Sequence, residues 1–398
     1  MRRKSATNAA RKSIATIDHN AGRTIAIIGG GIGGLTAALA FAQHGAIVTV
    51  YEQAPAITEV GAGIQITPNG ARVLNRLLPD GALDRIGITA QAVMPMDGLS
   101  GRSVSRFDLT AQTPPYRFYH RAALIDLLTD ACRAAHVTIK LNARITDVQP
   151  DGSFDTPDGR ISPHLTIGAD GVHSIVRPAI NALDEAFFTG QVAWRAIIDA
   201  PDVAPVARIW MLPNRHMVTY PLANGRMNIV AVQARRQWAD EGWHHADEPG
   251  NLRKVFADAC WGIKSILGEV KHVNLWGLFR HPVAAQWHQG NIAILGDAAH
   301  PTLPFLAQGA NLAIEDAYVL ARCCNENAAL EPALSAYQTA RQSRVTRAIA
   351  GANANAVNYH LSGIRRTVAH TGLRVIGRAA PGAFLNRLSW LYDHDVTG

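Results

Sequence analysis

The chain has 398 residues, long enough for two domains and three at most. Hydrophobic residues make up 48% and charged residues 17%, which supplies sizeable cores and excludes a disordered or fibrous protein. The formal charge of +7 would suit a polyanionic partner, but residues 1–23 carry six basic side chains against Asp18 alone, leaving a formal +2 for the rest, so no nucleic-acid-binding face is expected.

Those first 23 residues are rich in Ala, Ser and Arg and lack an apolar block, so despite Arg2-Arg3 they are no secretory signal. They read as a disordered extension, although the composition also suits an amphipathic transit peptide. The four cysteines, Cys132, Cys260, Cys323 and Cys324, have no metal-ligand spacing, which points to no metal and a reducing, cytoplasmic setting. Thr24–Tyr51 holds no charged residue, yet five glycines in its middle, each weakening a helix by roughly 1 kcal/mol relative to Ala, argue against a membrane span.

In chain order, Thr24–Ile28 is a short apolar run of the kind a doubly buried strand shows. Gly29-Gly30-Gly31-Ile32-Gly33-Gly34 follows, then Leu35, Ala38, Leu39 and Ala42 at helical spacing, Gly45 as a stop, and the β-rich run Ala46–Tyr51. This predicts a βαβ unit. A helix is expected over Ala122–Ala135, turns at Asp151-Gly152 and Asp158-Gly159, and a strand at Leu165–Ile167 leading into Gly168-Ala169-Asp170-Gly171. From about Ala186 to Arg236 the runs lengthen, Val192–Ile198, Val206–Met211, Met217–Tyr220 and Met227–Val232, with a turn at Asn224-Gly225, which predicts a second, antiparallel domain. Asn291–Leu295 returns to the buried-strand pattern and ends in Gly296-Asp297; beyond Gly309 the chain is mostly helical, with a basic, polar stretch at Arg341–Arg347.

Gly29, Gly31 and Gly34 satisfy G-x-G-x-x-G between a strand and a helix. The first permits the turn, the second lets a pyrophosphate approach the backbone, and the third lets helix and strand pack closely. The anion would rest on the helix N-terminus, where unpaired N–H groups and the dipole favour it. Glu52 ends the second strand, where an acid can accept hydrogen bonds from an adenosine ribose. FAD and NAD fit this pattern equally.

Gly296-Asp297-Ala298-Ala299-His300-Pro301 and the following Thr302–Asn311 separate the two. A carboxylate at a strand end can hold ribityl hydroxyls, and a helix starting at Gly309 can face the pyrimidine end of a flavin, contributing about 0.3–1 kcal/mol to the charge that develops there on reduction. Together these segments resemble the class A flavoprotein monooxygenases with the p-hydroxybenzoate hydroxylase fold, most closely the salicylate hydroxylase-like branch, from about Ile25 to the C-terminus. The ending Trp390–Val396 is similar to that branch too. The resemblance implies that FAD is held by Gly29, Gly31, Gly33, Gly34 and Glu52, by Gly63 in the stretch Val60–Asn69, by Arg121, by Asp170 with Arg177, and by Asp297, Gly309, Ala310 and Asn311. The implied fold is α/β: a Rossmann-like FAD-binding domain with a parallel sheet (24–180 and 286–330), an antiparallel-sheet substrate domain (181–285) and C-terminal helices (331–398).

The implied activity is hydroxylation of a small aromatic, a salicylate-like or heteroaromatic acid, with NADH or NADPH and dioxygen, through a hydroperoxide at flavin carbon 4a. Such chemistry needs a dry chamber, which the uncharged run Pro301–Ile314 fits, and a base for the ring hydroxyl. His216 is the candidate, because a strand here carries His216 and Tyr220 on one face; capping a hairpin beside Asn214 is the competing role. Pro304 is placed with these reacting groups. His300 is either a flavin neighbour or a loop-packing residue, and Trp194 and Arg195 either meet an aromatic carboxylate or serve core and solvent. A relative that epoxidises or dehydrogenates an apolar substrate, and a nucleotide-binding regulator without turnover, are the rival readings. A homodimer is expected.

Overall fold

A computed structural model of the chain describes residues 18–57, 62–182, 186–235 and 245–398. Most of the N-terminal tail, and Val60 and Gly61 of the stretch expected along the flavin, lie outside the described residues. The expected βαβ unit is present as β1 (Thr24–Ile28), α1 (Ile32–Gln43) and β2 (Ile47–Tyr51). After it come β3 (Gly63–Ile66), α2 (Pro68–Leu77), α3 (Ala82–Ile86), β4 (Gly87–Thr89), β5 (Ala92–Asp97), β6 (Phe107–Asp108) and β7 (Arg117–His120). Then follow α4 (Arg121–Ala134), β8 (Thr138–Lys140), the hairpin β9 (Phe154–Thr156) and β10 (Gly159–Ile161), and β11 (Leu165–Gly168).

The long β-runs are β12 (Phe187–Asp199), β13 (Val206–Leu212), β14 (Arg215–Leu222) and β15 (Arg226–Ala234). Asn224 and Gly225 both take positive φ (62° and 64°), the left-handed pair that joins two strands of matching twist. The remainder is β16 (Ala246–Asp247), α5 (Pro249–Val255), α6 (Trp261–Gly268), β17 (Val273–Arg280), β18 (His288–Gln289), β19 (Ile292–Ile294), and the helices α7 (Gly309–Glu326), α8 (Leu330–Tyr359), α9 (Gly363–Ala379) and α10 (Ala383–Tyr392).

Two sheets organise the molecule. The first runs β18-β19-β11-β1-β2-β8 and is parallel except for the edge strand β18. Its central strand β1 is covered by α1, which is apolar nearly all round because the sheet, α4 and α7 enclose it. The second runs β16-β17-β12-β15-β14-β13-β5-β6 and is antiparallel except where β5 joins β13 in parallel. Residues 92–108 therefore belong to the sheet expected only from 181–285. Pro95 hides β5 in the sequence, since a proline cannot complete a ladder and demotes the run.

The second sheet has two different faces. Trp194, Trp210, Met217, Met227 and Ile229 pack beneath α5 and α6. On the opposite face Ala193, Val232 and Trp276 meet Leu303, Phe305 and Ala352, forming a separate apolar cluster against the Pro301–Gln308 loop and α8. Helix α8, 30 residues and roughly 45 Å long, ties the two sheets together. Tyr337 near its start donates to Ile294 O of β19 (3.0 Å), and Tyr359 at its end packs on His216 of β14. No described helix is long and apolar enough to cross a membrane.

Candidate active site

The glycine turn is built by close approach. Gly29 takes φ +106°, and a Cβ there would lie 2.4 Å from Ala169 O, while a Cβ on Gly34 would lie 2.0 Å from Gly29 O. Strand, turn and helix thus cross where only glycine fits. Among the described residues no atom lies within 4 Å of a would-be Cβ on Gly31, which leaves the turn open toward them at the N-terminus of α1. Glu52 is fixed beside it: one carboxylate oxygen accepts from Gly30 N (2.8 Å), the other from Ala54 N (2.8 Å). Each oxygen keeps a further lone pair for a ligand hydroxyl.

Three further segments converge on this crevice. Asp170 follows β11 and folds its loop back by accepting from Ile175 N (2.8 Å); its Oδ1 is buried without a partner among the described residues, and burial raises its pKa. Arg177 clamps the same region to the neighbouring loops through Ala298 O and Pro282 O. Asp297 follows β19. The residue is exposed, yet protein crowds its carboxylate, and that crowding pushes its pKa up against the pull of His300, Arg121 and His281. No described residue hydrogen-bonds to it. Arg121, the first residue of α4 rather than the residue before it, thus comes within electrostatic reach of an aspartate far away in the chain. An open glycine cradle, a fixed ribose-type acid, an orphaned Asp170 oxygen and an unpartnered Asp297 form a donor and acceptor set that fits FAD.

Other expected cofactor residues are placed differently from one another. Gly309 and Ala310 form the first turn of α7, and a Cβ on Gly309 would lie 3.9 Å from Asp297 Oδ1. The Asn311 side chain is committed to protein, accepting from Thr67 N (3.0 Å) and donating to Gln65 O (3.0 Å) and Ala307 O (2.7 Å); it joins α7 to β3. Gly33 packs on Leu295 and Ala313. Gly63 faces the second sheet: its N–H donates to Asn228 Oδ1 (2.7 Å), and a Cβ there would strike Tyr220. This is where the cofactor crevice and the sheet of the long strands touch.

The chamber expected for the substrate would lie on that sheet, where Ala193, Val232 and Trp276 meet Leu303 and Phe305. His216 and Tyr220 share one face of β14 and are both buried, 2% and 3% exposed. His216 does not cap a hairpin. Its Nδ1 lies 2.8 Å from His360 Nε2, and its ring packs on Phe305 and Tyr359. Burial, then the neighbouring His360, drives its pKa well below the ordinary histidine value, and burial takes His360 down to about 4. Both rings are neutral at pH 7. The Tyr220 hydroxyl bonds to Gln65, which also accepts from Tyr116 (2.5 Å). Trp194 and Arg195, adjacent in β12, point to opposite faces. Trp194 is core and donates to Asp247 (2.7 Å), whereas Arg195 lies over the Trp276 ring (5.0 Å) and acts electrostatically on Tyr220, on the chamber side. Pro304 is exposed in its turn.

Sequence reasoning missed a buried ion network behind this site. Glu315 and Asp316 of α7 are fully buried and face Arg341 and Arg344 of α8, with Arg341 Nε 2.7 Å from Asp316 and Arg344 Nε 2.8 Å from Glu315. Asp316 also accepts from Gly296 N (3.1 Å) and from His300 Nε2, so the loop bearing Asp297 is anchored to it; burial opposes the charges of both acids, and the cations around them hold their pKa values low. His300 is thus wholly interior, packed on Trp287. The signal lay in the spacing Tyr337, Arg341, Arg344, Ala348, Ala352, which puts both arginines on the inner face of α8. His360, just past a helix end, gave none.

Residues 23–352 match the family described as FAD binding domain. The chain is 33% identical to 3-amino-4-hydroxybenzoate 2-monooxygenase PtnB3 of Streptomyces platensis over 94% of this chain and 96% of that protein. It is likewise 33% identical to 3-hydroxybenzoate 6-hydroxylase of Polaromonas naphthalenivorans, over 95% and 98%. Among solved structures it is similar to Klebsiella pneumoniae HpxO complexed with FAD and uric acid (TM-score 0.80, 24% identity, 92% of this chain and 97% of that one). A salicylate hydroxylase substrate complex shares the fold at TM-score 0.76 and 22% identity, over 94% and 96%. With the expected Rossmann-like parallel sheet, antiparallel sheet and C-terminal helices all present, the chain belongs to the class A FAD-dependent aromatic monooxygenases, in the salicylate hydroxylase-like branch.

Proposed function

We propose that this enzyme hydroxylates a small aromatic acid that already bears a ring hydroxyl, and that His216 takes the proton from that hydroxyl. The carrying observation is a neutral imidazole packed against an apolar cluster, with Nε2 lacking a partner among the described residues and Nδ1 engaged by His360. A neutral imidazole is a competent base, and an apolar wall favours an uncharged resting state and limits water. The relatives support the substrate class, since hydroxybenzoates and 6-hydroxynicotinate each carry a ring hydroxyl and a carboxylate. Arg195, beside Tyr220 on the same face, is the proposed carboxylate contact.

When bound, FAD supplies the redox chemistry, accepting reducing equivalents from NADH or NADPH and activating dioxygen. The residues proposed to hold it are the open turn at Gly31 for the pyrophosphate, Glu52 for the adenosine ribose, Asp297 for the ribityl chain, and the first turn of α7 at Gly309 and Ala310 for the pyrimidine end. Arg121 and Asp170 border the crevice, and Gly63 and Asn311 shape it through packing and hydrogen bonds to neighbouring strands. In this reading 24–180 with 286–330 hold the cofactor, 181–285 with β5 and β6 hold the substrate, and Pro304 lies on the loop between them. The free cysteines favour a cytoplasmic setting, and the exposed Ile364, Val368 and Val375 of α9 favour a homodimer.

The test is a screen of 3-hydroxybenzoate, 3-amino-4-hydroxybenzoate and 6-hydroxynicotinate for stimulated NAD(P)H oxidation, with peroxide measured alongside. At least one acid should give a product one oxygen heavier. Oxidation that yields peroxide alone with all three contradicts the proposal.

A further inference from the structure

We infer that His360 is the second member of a proton relay that carries the proton released by the substrate hydroxyl from His216 out of the chamber. This rests on the reading of His216 as the base.

Four observations carry the relay. First, the two rings are in hydrogen-bond contact, Nδ1 of His216 to Nε2 of His360 at 2.8 Å. Second, the contact crosses between parts of the fold that nothing local joins: His216 stands in β14, and His360 is the residue that ends α8. Its position is fixed by the chain, since its carbonyl accepts from Asn214 N (3.1 Å) at the turn that opens β14. Third, among the described residues no countercharge faces His216. The strand neighbours across from it are Met211 of β13 and Val232 of β15, Phe305 covers it from the loop, and α8 presents Tyr359 and His360. Arg215, next in the chain, points away to Asp258, and Asp97, one strand beyond Met211, is already paired with Arg366 and His370. Fourth, His216 is sealed in, whereas His360 is part-exposed.

The consequence is chemical. An imidazolium at His216 would be a buried, unpaired charge, which is costly to hold. The proton balance avoids it. Nε2 of His216 takes the hydroxyl proton as Nδ1–H passes its own proton to Nε2 of His360, and His360 sheds a proton from Nδ1 to water. His216 ends neutral in its other tautomer, and the pair is reset when the reverse shift draws a proton from water at His360 and delivers the Nε2 proton of His216 to the ring oxygen of the product. One imidazole thus serves as the base and the other as the outlet, and no oxidant or reductant is involved.

The test uses full-length enzyme with FAD and compares wild type, His360→Gln, His360→Phe and His216→Ala on the same three aromatic acids. For the His360 variants we expect kcat for hydroxylation to fall about 10²-fold at neutral pH with KM nearly unchanged. The loss should shrink as pH rises and be relieved by added imidazole, while FAD retention and thermal unfolding stay close to wild type. Full kcat in His360→Gln and His360→Phe, beside a slow His216→Ala, would overturn the relay and leave the base standing. A loss that neither imidazole nor alkali relieves would assign His360 a purely structural role and also overturn it. Full activity in His216→Ala would instead remove the base on which the relay depends.

Discussion

Two buried polar systems lie along one face of α8, and they are built on opposite principles. Near its middle, Glu315 and Asp316 meet Arg341, Arg344 and His300, so each interior charge is answered at hydrogen-bond distance. At its end, His216 and His360 meet each other, and His216 packs on aromatic rings, with no charged partner among the described residues. The first arrangement stabilises charge and therefore fixes geometry, anchoring the Asp297 loop through Gly296. The second disfavours charge, so a proton that arrives must leave. Compensation marks a brace, and its absence beside the apolar cluster is what the proposed relay would use.

The largest effect should come from breaking the brace. Among the described residues, Arg341→Met leaves Asp316 without an arginine beside it and Glu315 with Arg344 alone, and removal of one member of such a buried set costs about 3–5 kcal/mol. Thermal unfolding should show a large fall or an insoluble product; a wild-type melting curve would mean that the network is not stabilising. Next in size, His216→Ala should slow hydroxylation by about 10²–10⁴-fold while leaving anaerobic flavin reduction by NAD(P)H intact. Equal losses in both steps would move His216 out of the chamber chemistry and into structure.

Asp297 sharpens the comparison because, unlike the acids of the brace, it has no hydrogen-bond partner among the described residues. Asp297→Ala should weaken FAD binding by about 1.5–3 kcal/mol, the worth of a charge-assisted hydrogen bond, with little change in stability without FAD. Flavin fluorescence titration reads it, and unchanged affinity removes the assigned role. The smallest effect is on stability against pH. Both histidines have folded-state pKa values below the unfolded value of about 6.5, so between there and about 4 the unfolded chain binds more protons. Stability should therefore fall as pH drops through that window, and fall less in His360→Phe. Denaturant titrations at several pH values check the slope.

The cradle was legible in the sequence because its parts are neighbours in the chain: strand, glycine turn, helix and Glu52 follow one another within Thr24–Glu52. The Asp297 loop was legible for the same reason. What escaped reading depends on contacts between distant segments. Arg341 and Arg344 look like part of a polar stretch until α7 supplies two acids opposite them. Adjacent strand residues face opposite ways, so only one of Trp194 and Arg195 could reach the chamber, and burial beneath α5 and α6 took the tryptophan. β5 was hidden by Pro95, and His360 by its place after a helix end, where no periodicity marks a buried position.

The most direct measurement is a crystal structure of the enzyme with FAD and a phenolic acid that it turns over. The account predicts the isoalloxazine between Asp297 and the chamber, the ring of the acid against Phe305, and its hydroxyl about 2.6–3.2 Å from His216 Nε2. An acid bound away from β14, or a hydroxyl facing bulk water with His216 behind it, would contradict it.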